Sequence, residues 1–321
     1  MAHFAQWPTR RASQSADPAA PASPTPHSLN PAAVRQIRRL VWKMAIATFI
    51  LMAIGSATRV MNAGLACPDW PLCYGTLVPT QQMNLQVFLE WIHRLDASLI
   101  GLMAIALVAL SWRRRMVVPQ WLPWASGGAL LLVLVQGLLG GLTVTELLRF
   151  DIVTAHLGTA LLFFITLLTI GVLLLPAPQL SVHQHSEAQR HRFLPAASAT
   201  AAALVYLQSL SGGLVGSQWA LHQCLQLTQL CSVVNVHLLG VIPASLAVIT
   251  VVFLGWRSPV KPLAQAAGLL LLTQIFLGTA TFRLHLQVEL LTISHQIVAA
   301  ALLGSLVCAA AYGLRPRPQS A

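Results

Sequence analysis

The sequence predicts an all-α, polytopic membrane protein whose eight transmembrane helices form two pseudo-symmetric four-helix bundles. Three observations lead there. Hydrophobic residues fill 56% of the 321 positions and charged ones only 8%, against about a quarter charged in ordinary globular chains. Eight apolar runs each reach the roughly 20 residues needed to cross a 30 Å hydrocarbon core. The pattern of runs, loops and cysteines is also written twice along the chain.

Residues 1–38 are rich in Pro, Ala and Ser with scattered Arg. That composition cannot bury enough apolar surface to fold alone, so a disordered cytoplasmic tail is expected. Its Arg and Ser content with one acid, Asp17, is also compatible with an organelle transit peptide. Apolar runs begin near Leu40, Phe88, Trp121 and Ile152, defining an N-terminal bundle over 39–178. After a linker at 179–192, runs near Phe193, Val234, Leu263 and Leu290 define a C-terminal bundle over 193–314, with a short tail at 315–321.

The net charge of +11 would suggest nucleic acid in a soluble chain. Its distribution removes that reading. Arg35, Arg38, Arg39 and Lys43 precede the first run, Arg113 to Arg115 follow the second, and Arg190 and Arg192 precede the fifth. Arg257 and Lys261 join runs six and seven, and Arg315 and Arg317 close the chain. By the positive-inside rule these boundaries face the cytoplasm, with both termini, and the rest is solvated by membrane lipid. The bacterial inner (plasma) membrane is the expected location.

The opposite loops carry Asp69, Glu146, Asp151 and Glu289, with Cys67 and Cys73 before run two and Cys224 and Cys231 before run six. Facing an oxidising compartment, these pairs suit local disulfides Cys67–Cys73 and Cys224–Cys231. Metal ligation by His222 and Cys224 is the alternative. Cys308, inside a run, reads as a small core residue. Each half continues with a glutamine-glycine patch, Gln136-Gly137-Leu138-Leu139-Gly140 or Gln274-Ile275-Phe276-Leu277-Gly278. Duplication of a four-span unit keeps both copies in the same orientation, related by an axis along the membrane normal.

Of the 11 histidines, His93, His156, His237 and His295 fall in the outer parts of runs two, four, six and eight, hence at one depth and two per bundle. A single intramembrane histidine is ordinarily a hydrogen-bonded packing residue. Two facing imidazoles lined by Gly, Ala and Leu instead offer axial nitrogens and close-packed walls to a flat apolar macrocycle, so haem-iron ligation is expected. Zinc, needing three or four ligands, fits less well. Copper in a four-histidine site would require ligands from both bundles. His183, His185 and His191 crowd a polar inner loop and read as solvated residues.

The halves differ at Glu90, one helical turn before His93, where the second half has Val234 before His237. A buried carboxylate is costly unless paired. Glu90 therefore reads as a base or as a charge that stabilises a cation on the porphyrin edge, with pairing to Arg94 at the interface as the plainer alternative. Arg59, Arg94, Arg149 and Arg283 break the positive-inside pattern. They are possible contacts for the haem propionates, whose carboxylates match the planar guanidinium fork.

Several stretches together resemble the haem A synthases of bacterial and mitochondrial membranes. They are Gly55-Ser56-Ala57-Thr58-Arg59, Asn62-Ala63-Gly64-Leu65, Cys67-Pro68-Asp69-Trp70-Pro71-Leu72-Cys73, Glu90-Trp91-Ile92-His93-Arg94 and His156-Leu157-Gly158. With His237 and His295 the likeness spans about residues 40 to 312, specific in the first half and looser in the second. The resemblance implies that the first bundle binds haem O through His93 and His156 and oxidises its C8 methyl to a formyl, giving haem A, with Glu90 assisting. It implies haem b on His237 and His295 in an electron-transfer role. It also implies a haem O synthase as donor, terminal oxidase assembly downstream, an electron acceptor of unknown identity and possible homo-oligomers. Two other functions fit the residues: a two-haem bis-histidine electron-transfer cytochrome of the quinol oxidase type, and a haem exporter or chaperone.

Overall fold

Asn30 and Pro31 start the first helix earlier than hydropathy alone suggested. In the computed structural model, which describes residues 29–176, 193–216 and 228–315, α1 runs Pro31–Val60. The Asn30 side chain accepts from the backbone N–H groups of Ala32 (2.9 Å) and Ala33 (3.2 Å). Pro31 follows at the position where its fixed φ suits a helix and its missing N–H costs nothing. Residues 31–38, expected as part of the tail, are therefore helical, with Ala33 and Ile37 buried one turn apart.

Seven more helices follow: α2 (Leu85–Arg113), α3 (Leu122–Thr145), α4 (Phe150–Leu173), α5 (Leu194–Val215), α6 (Thr228–Gly255), α7 (Lys261–Arg283) and α8 (Glu289–Gly313). At 22 to 30 residues they measure about 33 to 45 Å by the usual helical rise. All eight are long and apolar enough to cross a membrane. Among the described residues the chain is all-α, with a single isolated bridge between Cys73 and Thr76. Large apolar side chains such as Phe253 (81% exposed) and Phe276 (69%) point outward. That arrangement is stable where the surroundings are hydrocarbon.

Within the first half α1 packs on α2 and α4, and α3 on the same two. The second half repeats this, with α5 and α7 each packed on α6 and α8. The halves meet through α4 with α8, α1 with α8 and α4 with α5. Ile37, Val41, Met44, Leu107, Leu122 and Leu167 lie at the centre of the first apolar cluster, and Val248, Val251, Leu303 and Leu306 at that of the second.

The backbone repeats as well. Each odd-numbered helix opens with proline in its first two positions. The turn from α3 to α4 places Leu147 and Leu148 at φ 50° and 59°, and the turn from α7 to α8 places His285 and Leu286 at 51° and 59°. Two successive left-handed residues other than glycine are unusual. Both turns use one set of bonds: Leu148 N–H to Thr143 C=O (2.8 Å), and Leu286 N–H to Thr281 C=O (3.0 Å). The duplication read from the cysteines and histidines thus extends to turn geometry.

Candidate functional site

Each of the four predicted histidines rests against a glycine of the preceding helix. A methyl carbon added at Gly55 in α1 would stand 2.7 Å from Cε1 of His93 in α2, and at Gly140 in α3, 3.3 Å from Cε1 of His156 in α4. In the second half, Gly212 in α5 meets His237 in α6 at 2.8 Å, and Gly278 in α7 meets His295 in α8 at 2.8 Å. Contacts below 3.0 Å are essentially never made by real Cβ atoms. The absent side chain is therefore what lets these rings lie between the helices.

The backbone carbonyl four residues before each glycine faces the same ring: Leu51 for His93, Gln136 for His156, Gln208 for His237 and Gln274 for His295. Glutamine side chains add a second contact, with the Gln136 amide nitrogen 3.1 Å from Nε2 of His156 and that of Gln274 3.2 Å from Nε2 of His295. The Nδ1 atoms of His93, His156 and His295 and the Oε1 atoms of Gln136 and Gln274 are buried without a hydrogen bond of proper geometry. His93 lies within electrostatic reach of His156, and His237 of His295. The rings are therefore paired within halves.

Glu90, 4% exposed, sits near the N-terminal end of α2 between Arg94 and the cysteine loop. Arg94 Nη2 donates to Glu90 Oε1 at 2.5 Å, and the Cys67 backbone N–H donates to Oε2 at 2.8 Å. The rest of the Arg94 guanidinium donates to the carbonyls of Asp69 (2.5 Å), Leu72 (2.5 Å) and Cys67 (3.3 Å). The loop is closed by the Cys67–Cys73 disulfide and by Asp69, whose carboxylate accepts from the N–H groups of Tyr74 (2.6 Å) and Gly75 (2.7 Å). Those bonds, Gly75 first, hold the Asp69 carboxyl below its ordinary range. Trp70 of this loop lies on Gly141, next to the glycine under His156. Of the readings of Glu90, the pairing with Arg94 is present in the structure.

The remaining arginines separate. Arg59 donates to the Gly213 carbonyl at the end of α5 (3.4 Å), bridging the halves. Arg149 is engaged with Glu146 (3.0 Å) and Asp151 (2.8 Å). Arg283 is exposed at the end of α7. Cys308 is a free, partly buried cysteine packed against the first core cluster, as expected of a small core residue. The pair Cys224–Cys231, along with His183, His185, His191 and His222, lies outside the side chains described. Among the described residues no group of three or more His, Cys, Asp or Glu side chains is placed to hold a metal ion.

Residues 38–307 match the family of Cytochrome oxidase assembly proteins, COX15-CtaA. The chain belongs to this family. Within it, the chain is similar to proteins named Heme A synthase from Shewanella oneidensis (35% identical, covering 40% of this chain and 44% of that one) and Bacillus pumilus (28%, covering 41% and 44%). A Geobacillus kaustophilus protein of the same name is 38% identical over 38% of this chain and 37% of its own. The aligned part thus spans less than half the length of these relatives. A shorter likeness, 32% over a quarter of the chain and 16% of the relative, reaches a Protoheme IX farnesyltransferase of Haloarcula marismortui.

Sequence reasoning located the histidines of this family member but missed what surrounds them. The glutamine-glycine patches marked the duplication, yet their chemistry, amide on one side of the ring and glycine beneath it, emerges only when α3 faces α4 and α7 faces α8. Gly55 was read only as part of a family-like stretch, and Gly212 carried no local signal.

Proposed function

We propose that the protein is a haem A synthase that oxidises the C8 methyl of haem O to a formyl group. The observation that carries this reading is the asymmetry between otherwise repeated halves: Glu90, fixed by Arg94 and the Cys67 N–H, stands one turn from His93, and Val234 holds that place before His237. Family membership and the names of the relatives support it. Converting a methyl to a formyl takes one water and releases four electrons and four protons, so the site needs a fixed charge or proton acceptor near the reacting carbon. Two donors fix the position of the Glu90 carboxylate, from which it faces a cation forming on the ring or takes a proton from the methyl.

The residues fit an iron porphyrin in each half. Paired imidazoles, buried polar atoms lacking partners, and glycines where side chains would crowd suit a flat macrocycle held by two histidines. His93 and His156 would hold substrate haem O, and His237 and His295 would hold resident haem b. Haem b supplies a one-electron redox centre when bound. Arg59 and Arg283, which have no carboxylate partner among the described residues, suit the propionates, whereas Arg94 and Arg149 already pair with acids. The two four-helix bundles, the outward placement of the haem sites, cytoplasmic termini and an inner-membrane location belong to this reading. So do a haem O synthase as supplier, a terminal oxidase as recipient and an electron acceptor.

Extraction of the haems from the purified protein, identified by mass, tests it. Haem O or haem A beside haem b is expected. Haem b alone would favour the two-haem cytochrome, and a colourless protein with no Soret absorption would remove both.

A further inference from the structure

Resting on that haem-binding reading, we propose that Ser211 and Gln208 lock His237 as a permanent axial ligand, while His93, which lacks their counterparts, is the ligand that swings aside to admit haem O and release haem A. The comparison is internal to the chain. Setting Gly212 on Gly55 places Gln208 opposite Leu51 and Ser211 opposite Ile54; setting His237 on His93 places Gly240 opposite Asp96.

In the second half the Ser211 hydroxyl donates to the Gln208 backbone carbonyl at 2.9 Å. Its single proton is thereby spent, and its lone pairs face Nδ1 of His237 at 3.0 Å. An imidazole bound to a metal through Nε2 carries its proton on Nδ1. Ser211 Oγ is placed to accept that proton, fixing both the tautomer and the ring's rotation. The Gln208 amide nitrogen donates to the His237 backbone carbonyl at 2.5 Å and lies 3.1 Å from Nδ1. Gly240 makes room for it, since a Cβ there would collide with the Gln208 amide oxygen. Ring and backbone of His237 are held by the same two side chains.

The first half has none of this. Leu51 and Ile54 offer no polar side-chain atom, Nδ1 of His93 is buried without a properly formed bond, and only the Leu51 backbone carbonyl faces the ring. Partners of this kind orient a ligand and raise its basicity, and their loss typically lowers metal affinity about 10- to 100-fold. The difference matches the cargo. A resident group binds once, whereas a substrate must enter and its product must leave at every turnover.

The test uses carbon monoxide, which binds ferrous haem only where an axial ligand has left, followed at the distinct absorption bands of the two haems in the reduced, full-length protein. In the wild type, faster binding is expected at the first-half haem than at haem b, because His156 and His295 carry matching glutamine contacts and only the His93 and His237 supports differ. Ser211→Ala should open haem b to carbon monoxide, raising its rate about tenfold or more per haem bound, and Ser211→Thr, which keeps the hydroxyl, should restore the slow rate. Ile54→Ser should slow binding at the first-half haem. Binding unchanged at haem b in Ser211→Ala and unchanged at the first-half haem in Ile54→Ser would overturn the proposal while leaving the haem reading intact. A preparation devoid of haem would instead remove the reading on which it rests.

Discussion

Replacing Gly212 or Gly278 with alanine should displace one imidazole of the second half without touching any polar group. The new methyl carbon would stand 2.8 Å from Cε1 of His237 or His295, and ordinary contact begins near 3.4 Å. The ring must therefore move by the difference, about 0.6 Å, or the helices must part. Metal-ligand distances tolerate about 0.2 Å, so the shift exceeds what coordination absorbs, and packing strain adds about 1 to 3 kcal/mol. Haem b content per protein, measured as the pyridine complex, and its bis-imidazole electron paramagnetic resonance signal should both fall about tenfold or more. Gly140→Ala is the internal comparison: at 3.3 Å from His156 it needs a shift of only about 0.1 Å and should leave the first-half haem in place. Full haem b content with an unaltered signal in both Gly212→Ala and Gly278→Ala would show that the glycines do not set the ring positions.

Glu90→Gln keeps the shape and a hydrogen-bond acceptor but removes the charge, so haem content should persist while haem A formation drops by at least about 100-fold; full activity in that variant would exclude both roles given to the carboxylate. Glu90→Ala should go further, leaving Arg94 partnered only by carbonyls and costing about 3 to 5 kcal/mol as a broken buried pair, seen as faster proteolysis of the 63–76 loop. The same loop should loosen in acid. Asp69 has a folded pKa below its unfolded value, so its contribution is complete above the unfolded pKa near 4 and is lost as pH falls through the folded one; Trp70 fluorescence should change between pH 5 and pH 2, and Asp69→Asn should flatten that change. His156→Ala should abolish the first-half haem spectrum and spare haem b, with the reverse for His295→Ala; loss of both haems in either variant would argue against separate pairs.

Much of the fold was legible because a bilayer imposes a strict rule. Every apolar run of sufficient length must satisfy its own backbone, so hydropathy placed α2, α3, α4, α5, α7 and α8 within a few residues of their observed starts. Residues 31–38 escaped it because Arg35, Arg38 and Arg39 lower local hydropathy, while the helix there is set by the Asn30 cap and by burial of Ala33 and Ile37. The four histidines stood out because an intramembrane imidazole is rare and repetition in register rarer still. Their supports did not. Gly212 looks like any small residue in a transmembrane helix, Gly55 stood only within a family-like stretch, and Ser211 acquires its meaning only from a hydroxyl proton committed to Gln208. Glu90 was legible as an anomaly, but its Cys67 N–H partner belongs to a loop that arrives from 23 residues earlier.

The repeated turns at Leu147–Leu148 and His285–Leu286 are what two copies of one unit would carry. In a homodimer of such a unit, any mutation appears twice, and a carboxylate gained beside one iron site is gained beside the other. Joining the copies in tandem frees each to drift alone. One can then acquire Glu90 and keep its ring loosely held, while its sibling gains a serine latch and stays chemically quiet. On this view, the covalent link between α4 and α5 is what permitted a division of labour between two cradles that share one pairing of glycine and imidazole.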